Sequence, residues 1–130
     1  MVGPSSPVRV LIVDDQRPFR AAATAVAESI DGFEVVDAVQ TAEEALAGLA
    51  RTRPDLVLMD LNLPGMDGVQ ASRTLRERHP GIVVVLLSSY DEAEFADLIS
   101  DCGAYAYVPK ASFGPERLEA LWLDRWRGHP

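Results

Sequence analysis

Five short apolar runs recur along the chain. They are Val8–Val13, Phe33–Val39, Leu56–Met59, Ile82–Leu87 and the weaker Ala104–Val108. The segments between them are rich in Ala, Leu, Glu and Arg, and their length of roughly 10 to 15 residues is typical of helices between parallel strands. Thr41 and Glu44 match a capping box, and Pro115 suits the first position of a last helix. The pattern therefore predicts strands that alternate with helices.

This alternation predicts an α/β fold in which helices cover both faces of a parallel sheet. The run Ile82–Leu87 has no polar alternation, as expected for a strand buried on both faces. We therefore expect a doubly wound five-stranded (βα)5 domain over residues 8–127. Residues 1–7 are expected to form a disordered lead-in and residues 128–130 a tail, with no second domain.

Composition excludes several classes of protein. The 130 residues carry 12 basic and 20 acidic side chains, a formal charge of −8, and a nucleic-acid-binding domain instead needs a basic face. The single cysteine, Cys102, excludes an internal disulfide framework and a multi-cysteine zinc site. No apolar run approaches the roughly 20 residues that span a membrane, and residues 1–7 lack the features of a secretory signal. A cytoplasmic domain is the expectation.

Candidate chemistry gathers at the carboxyl ends of the predicted strands, where open parallel sheets bind ligands. Asp14 and Asp15 follow the first strand, and Asp60 ends the third. Ser88 follows the fourth strand and Lys110 the fifth. A lone aspartate after a strand is commonly a helix cap or turn former, so the signal is the convergence. Three neighbouring carboxylates need a cation, and oxygen ligands favour Mg²⁺.

Lys110 is distinctive because the other 11 basic residues are all arginine. A compact ammonium on a flexible stem can act as a point charge for a carboxylate or a phosphoryl oxygen. In the loop after Asp60, Pro64 and Gly68 are interpreted as turn formers, and Asp67 as a helix start or turn former rather than a metal ligand.

Four segments resemble the receiver domains of two-component response regulators, the superfamily that includes the chemotaxis receivers. They are LIVDD (11–15), LMDLNLPGMDG (58–68), VLLSSYD (85–91) and GAYAYVPK (103–110). The resemblance covers about residues 8 to 127. It implies the flavodoxin-like strand order 2-1-3-4-5.

The resemblance also implies a role for each acidic residue. Asp60 is the implied phosphoacceptor, which forms an acyl phosphate. Asp15, Asp60 and the backbone carbonyl of Asn62 are the implied ligands of Mg²⁺, with Mn²⁺ as an alternative. Asp14 is expected to act on the metal through a bound water.

The remaining implied roles concern the phosphoryl group and the response to it. Lys110 and Ser88 are expected to bind phosphoryl oxygens, and Tyr107 is the implied aromatic switch that turns inward when Ser88 moves. Tyr90 is expected to lie over the acyl phosphate and to slow its hydrolysis.

The implied function is a phosphorylation-switched signalling module that promotes only its own phosphorylation and dephosphorylation and is not otherwise an enzyme. The expected partners are a histidine kinase or a phosphotransfer protein. A second copy of the chain is another expected partner, bound through the face of the fourth predicted helix (from about Asp91), the fifth strand and the last helix. On the last helix, Leu118, Leu121, Trp122 and Arg125 form the predicted core stripe. Leu123 and Trp126 fall off that stripe and are the expected anchors of the partner surface.

One departure and three alternatives accompany the resemblance. Receivers commonly have proline after the lysine, whereas here Pro109 precedes Lys110 and Ala111 follows it, so the Lys110–Ala111 bond is expected to be trans or else strained. A phosphatase with an aspartyl nucleophile needs a second carboxylate where Asn62 stands. A flavodoxin needs a hydroxyl- and glycine-rich loop in place of residues 14–17. A receiver-like interaction module that takes no phosphate is the third alternative.

Overall fold

A parallel five-stranded sheet forms the centre of the fold in the computed structural model, which describes residues 6–89 and 103–127, excluding the side chains of 126 and 127. The strands are β1 (Val8–Val13), β2 (Phe33–Val39), β3 (Leu56–Asp60), β4 (Val83–Ser88) and β5 (Ala106–Pro109). Their order is β2-β1-β3-β4-β5 and all neighbours are parallel. The predicted strand order is confirmed.

The described helices connect these strands. They are α1 (Arg17–Glu28), α2 (Ala42–Ala47), α3 (Leu49–Thr52), α4 (Gly68–Arg78), α5 (Pro115–Arg127) and the 3₁₀ turn Lys110–Ser112. The Thr41 hydroxyl accepts a hydrogen bond from the Glu44 backbone N–H at the start of α2, and the Asp67 carboxylate accepts one from Gln70 at the start of α4. These contacts confirm the predicted helix starts at Thr41 and Asp67. Pro115 is the first residue of α5, as predicted. The helix predicted from Asp91 lies outside the described residues.

Successive strand residues point to opposite faces of the sheet, which gives the molecule two apolar layers. The front cluster joins Leu11, Met59, Leu86 and Tyr107 of the sheet to side chains of α2, α3 and α4, such as Leu75. The rear cluster joins Val10, Leu58, Leu87 and Val108 to Ala23 and Ala27 of α1 and to Leu118 of α5. Both faces are covered, so the core strands are continuously apolar as predicted.

The boundaries of three elements differ from the sequence prediction. β3 extends to Asp60, β4 is shifted by one residue to Val83–Ser88, and β5 begins at Ala106. The ladder thus includes Asp60 and Ser88, which pair with Leu87 and Pro109. The helical segment after β2 is divided at Gly48, a residue of low helix propensity.

Gly68 is the first residue of α4 and not the predicted turn former. A Cβ atom built on it would lie 2.5 Å from the carbonyl oxygen of Asp60 and 2.8 Å from Cα of Leu61. Glycine therefore lets α4 begin in direct contact with the end of β3. Its N–H also donates to the Leu61 carbonyl at 3.0 Å, which closes the loop that follows Asp60.

β2 lies at one edge of the sheet and contains an irregularity. Val10 is aligned with Val35, but the next residue of β1, Leu11, is aligned with Asp37. One residue of β2, Val36, is therefore extra in the register, as in a β-bulge. The carboxylate of Asp37 forms a surface ion pair with Arg51 of α3, with 3.1 Å between Oδ2 and Nη2.

The last helix places its apolar residues as predicted. Leu118 is fully buried in the rear cluster, and Leu121 and Trp122 pack against it. Leu123 points away from the core and is 54% exposed. The side chain of Trp126 lies outside the described residues. Among the helices of the described segments, none has both the length and the apolar character needed to cross a membrane.

Candidate phosphoacceptor site

Three aspartates meet at the carboxyl edge of the sheet. Asp14 follows β1 directly and Asp60 is the last residue of β3, and since β1 and β3 are neighbours their ends coincide. Asp14, Asp15 and Asp60 each contribute an oxygen to a set in which all oxygens lie within 4.8 Å of one another. Asp14 is 1% exposed and Asp60 is 5% exposed, whereas Asp15 is exposed. The predicted convergence of the carboxylates is present.

Lys110 supplies a positive charge to this cluster from the turn after β5. Its Nζ lies 2.8 Å from Oδ2 of Asp14 and 3.5 Å from Oδ2 of Asp60, and the side chain is only 11% exposed. The Asp60 contact has hydrogen-bond geometry, while the Asp14 contact is a close ion pair outside that geometry. One ammonium therefore balances part of the charge of two buried carboxylates.

The loop after β3 orients Asp60 and connects it to β4. The backbone N–H of Asn62 donates to Oδ1 of Asp60 at 3.1 Å. The Asn62 side-chain amide donates to the hydroxyl of Ser88 at 3.4 Å. Ser88 is fully buried at the end of β4. Asn62 thus links the hydroxyl predicted to bind a phosphoryl oxygen to the predicted nucleophile.

The pKa of Asp60 is raised above its usual value of 3.8. Burial is the main cause, because it disfavours the ionised carboxylate, and the neighbouring charge of Asp14 acts in the same direction. The Asn62 N–H and the Lys110 ammonium oppose the shift but do not cancel it. A cation placed among these carboxylates would therefore relieve an existing electrostatic strain.

The donor set fits a hard divalent cation such as Mg²⁺. Carboxylate oxygens are the ligands such ions prefer, and a site of few carboxylates leaves positions for water and phosphate oxygens. Among the described residues, Oδ2 of Asp14 is a buried oxygen with no hydrogen-bond donor in bonding geometry. Asp15, Asp60 and Asn62 line an open cleft of about 190 Å³ together with Gln16, Ser89 and Lys110. The site therefore has both carboxylate oxygens that could bind a cation and space for it.

Tyrosine residues near the site are only partly described. Tyr107 lies in β5, is 4% exposed and belongs to the front cluster. Tyr90 lies outside the described residues, so its predicted place over the acyl phosphate stays a prediction. The described chain contains no cis peptide bond, and the predicted trans Lys110–Ala111 bond is confirmed.

Two neighbours of Lys110 were not predicted from the sequence. Nζ of Lys110 donates to Oε1 of Gln16 at 3.3 Å, and it lies 4.4 Å from the centre of the Phe19 ring. Gln16 directly follows the two aspartates in the loop, and Phe19 is in the first turn of α1. Both residues follow the carboxyl end of β1 closely in the sequence. This position could have predicted that they lie near the site, because the loop after β1 also faces the cleft.

Comparison with known proteins assigns this domain to a family. The family model described as the response regulator receiver domain matches residues 10–122. The chain belongs to this family. The receiver assignment rests on nearly the whole domain, including the ends of all five strands.

Several curated relatives of this receiver are regulators. The response regulator GacA of Pseudomonas viridiflava is 36% identical over 116 residues, which are 89% of this chain and 54% of that protein. The transcriptional regulatory protein DegU of Brevibacillus brevis is 31% identical over 114 residues, 88% of this chain and 48% of that protein. This receiver spans about half the length of these two relatives, so the similarity concerns their receiver part.

One relative is named as an enzyme, and two solved receivers have the same fold. Protein-glutamate methylesterase/protein-glutamine glutaminase 3 of Hahella chejuensis is 38% identical over 78% of this chain and 29% of that protein. The receiver domain of NarL from Mycobacterium tuberculosis matches with a TM-score of 0.84 and 29% identity, covering 96% of this chain and 100% of that one. A CheY-like receiver from Methanospirillum hungatei matches with a TM-score of 0.80 and 28% identity, covering 92% and 94%.

Proposed function

We propose that this receiver accepts a phosphoryl group on Asp60 from a histidine kinase or a phosphotransfer protein. The observation that carries the proposal is the convergence of one ammonium and three aspartates at one strand edge, with Asp60 on the wall of an open cleft. Phosphoryl transfer needs mainly positioning and neutralisation of charge. Membership of the receiver family supports the same chemistry.

Asp60 is the proposed nucleophile. Its carboxylate oxygen forms a bond to phosphorus while the bond from phosphorus to the donor's nitrogen or oxygen breaks and leaves its electron pair on the donor. The Asn62 N–H holds Oδ1, while Oδ2 faces the ammonium of Lys110. The acyl phosphate formed on Asp60 then marks the active form of the chain.

Mg²⁺ is the proposed cofactor, with Mn²⁺ as an alternative. Asp15, Asp60 and the backbone carbonyl of Asn62 would hold the ion, and Asp14 would contact it through a water. When bound, the cation neutralises charge on the transferring group. The pairing of Asp14 with Lys110 at 2.8 Å supports its indirect role, since the ammonium already balances part of its charge.

Lys110 and Ser88 are proposed to bind two oxygens of the phosphoryl group. Ser88 lies at the end of β4, beside Pro109 in the register, and Tyr107 lies two residues earlier in β5. A movement of Ser88 toward the phosphoryl group would therefore act next to the proposed switch residue Tyr107. The response is proposed to reach the surface of β5 and α5, where Leu123 is exposed. A second copy of the chain or a partner protein would bind there, and the expected compartment is the cytoplasm.

The test is the intact mass of the chain after incubation with acetyl phosphate and Mg²⁺. We expect one added phosphoryl group on the wild-type protein and none on Asp60→Asn. Asp67→Asn is the matched control, because it changes an aspartate that caps α4 while asparagine is an equally good cap. Undiminished labelling of Asp60→Asn would contradict the assignment of the nucleophile.

The same experiment separates this proposal from an interaction module that takes no phosphate. A wild-type chain that gains no mass with acetyl phosphate, phosphoramidate or a phosphorylated histidine kinase would contradict the phosphoacceptor function. Binding of a partner protein that is independent of phosphorylation would then favour the interaction module.

A further inference from the structure

The ammonium of Lys110 rests against an aromatic ring as well as its polar neighbours. Its Nζ lies 4.4 Å from the centre of the Phe19 ring. A cation over an aromatic face is attracted by the ring's quadrupole, and the attraction strengthens where water is excluded. The Lys110 side chain is only 11% exposed. The contact is therefore of the stronger, partly desolvated kind.

The Phe19 ring is held in place by its own packing. It projects from the first turn of α1 and lies 6.0 Å from the ring of Phe113, with an angle of 50° between the ring planes. Both rings pack against the rear cluster. Phe113 follows the 3₁₀ turn that carries Lys110, so the two rings join α1 to the loop that contains the lysine.

The flexible stem of Lys110 needs such a support. Its four-carbon chain has many rotamers, and ordering them opposes any fixed position of the ammonium. Carboxylate oxygens lie 2.8 and 3.5 Å from Nζ, and the centre of the Phe19 ring lies 4.4 Å from it. The ring attracts the cation through its quadrupole while oxygens of Asp14, Asp60 and Gln16 lie within 3.5 Å of Nζ.

We propose that Phe19 is a positioning residue for phosphoryl transfer, whose aromatic ring holds the ammonium of Lys110 beside Asp60. This inference rests on the proposed phosphoacceptor function. It assigns to α1 a part in the reaction, because the position of the cation depends on a side chain of that helix. An aliphatic residue of similar size fills the same space but lacks the attraction for a cation.

Three variants separate positioning from packing. Phe19→Leu keeps apolar bulk and removes the ring, while Phe19→Tyr keeps the ring. Phe113→Leu is the matched control, since it removes the neighbouring ring and the same kind of packing without removing the face that contacts Lys110. Thermal unfolding of each variant establishes that it is folded.

The first readout is the rate of phosphorylation by acetyl phosphate at fixed Mg²⁺. We expect Phe19→Leu to lower this rate about tenfold, a factor within the range between an exposed and a fully desolvated cation–π contact. Phe19→Tyr should recover most of the rate, and Phe113→Leu should lower it much less. Equal losses in Phe19→Leu and Phe113→Leu, or no loss in Phe19→Leu, would overturn the proposal.

The second readout does not depend on phosphorylation. Because Lys110 is the only lysine of the chain, acylation by an amine reagent followed by peptide mapping reports directly on its exposure. We expect Lys110 to be labelled at least about threefold faster in Phe19→Leu than in the wild-type chain. In Phe19→Tyr the labelling rate should equal that of the wild type. Unchanged labelling in Phe19→Leu would overturn the placement. A wild-type chain that takes no phosphoryl group would contradict the proposed function instead, and labelling would still decide whether the ring holds the amine.

Discussion

Charged side chains have opposite roles at the amino-terminal and the carboxyl-terminal ends of the strands, which are called here the amino-terminal edge and the carboxyl edge of the sheet. At the amino-terminal edge, the guanidinium of Arg9 donates to the carbonyl of Thr52 at 2.7 and 3.0 Å and to that of Arg53 at 3.2 Å. Asp55 accepts a hydrogen bond from the Arg9 backbone N–H. At the carboxyl edge, Asp60 has a raised pKa and shares one ammonium with Asp14.

The difference separates structural from functional charge. The Arg9 guanidinium has fixed backbone acceptors that end helix α3, so it stabilises the fold without any ligand. The carboxylates of the opposite edge repel one another and lack a full set of donors. Their free energy improves when a cation or a phosphoryl group with its metal arrives. A receiver can thus be stable at one edge and responsive at the other.

The largest expected effect is at the amino-terminal edge. Arg9→Met removes the charged hydrogen bonds to Thr52 and Arg53, and we expect a loss of about 2–3 kcal/mol in the free energy of unfolding. Urea denaturation measures it. Arg51→Met is the control, because the Arg51–Asp37 pair is on the surface, with 69% of the Arg51 side chain exposed, and should contribute less than about 0.5 kcal/mol. Equal losses of unfolding free energy in Arg9→Met and Arg51→Met would contradict the expected difference between the two arginines.

The next effect concerns the metal. Asp15 is exposed on the cleft, whereas Asp14 is buried against Lys110. We expect Asp15→Ala to weaken Mg²⁺ binding about tenfold more than Asp14→Ala, which corresponds to about 1.4 kcal/mol. Titration calorimetry gives both affinities. Equal affinities of the two variants would argue against direct contact by Asp15 alone.

The smallest expected effect sharpens the comparison at Asp60. The pKa of Asp60 is higher in the folded chain than in the unfolded chain. Ionisation of Asp60 therefore lowers the free energy of unfolding as the pH rises through the folded-state pKa. Below the unfolded-state pKa both states are protonated, and this penalty is absent. Without metal, Asp60→Asn should therefore be more stable at pH 7 by about 1 kcal/mol. The gain should shrink as the pH falls toward 4.

Urea denaturation at several pH values, with Asp67→Asn as the control, measures this gain. Saturating Mg²⁺ should reduce or reverse it, since the ion stabilises the ionised wild-type site. A wild-type chain that is more stable than Asp60→Asn without metal at pH 7 would show that the carboxyl edge is not strained.

The sequence was sufficient for features that depend on strand periodicity. The five strands and the meeting of Asp14, Asp60 and Lys110 follow from apolar runs and from the common direction of parallel strands. The strand order was implied by the resemblance to receiver domains. Contacts that depend on the direction of individual side chains were not predictable in this way. Gln16 and Lys110 are 94 positions apart, and their contact depends on how the side chains are directed between two loops.

Glycine shows another limit of sequence patterns. At Gly65 the backbone has φ +74°, as a turn former would, whereas Gly68 begins a helix and allows a close approach to Asp60. Both uses require the absence of a Cβ atom. The sequence alone does not distinguish a special dihedral angle from a crowded backbone, which is why Gly68 was assigned to the wrong class.

The bulge of β2 has a consequence for how copies of the chain meet. β2 and β5 are the outer strands of the sheet, and unpaired outer strands invite edge-to-edge aggregation. The extra residue Val36 and the charges of Glu34 and Asp37 disfavour a regular ladder on β2, while β5 has only four residues and ends at Pro109. Strand addition is therefore disfavoured at both outer strands, so a complex with a second copy would not form by extension of the sheet.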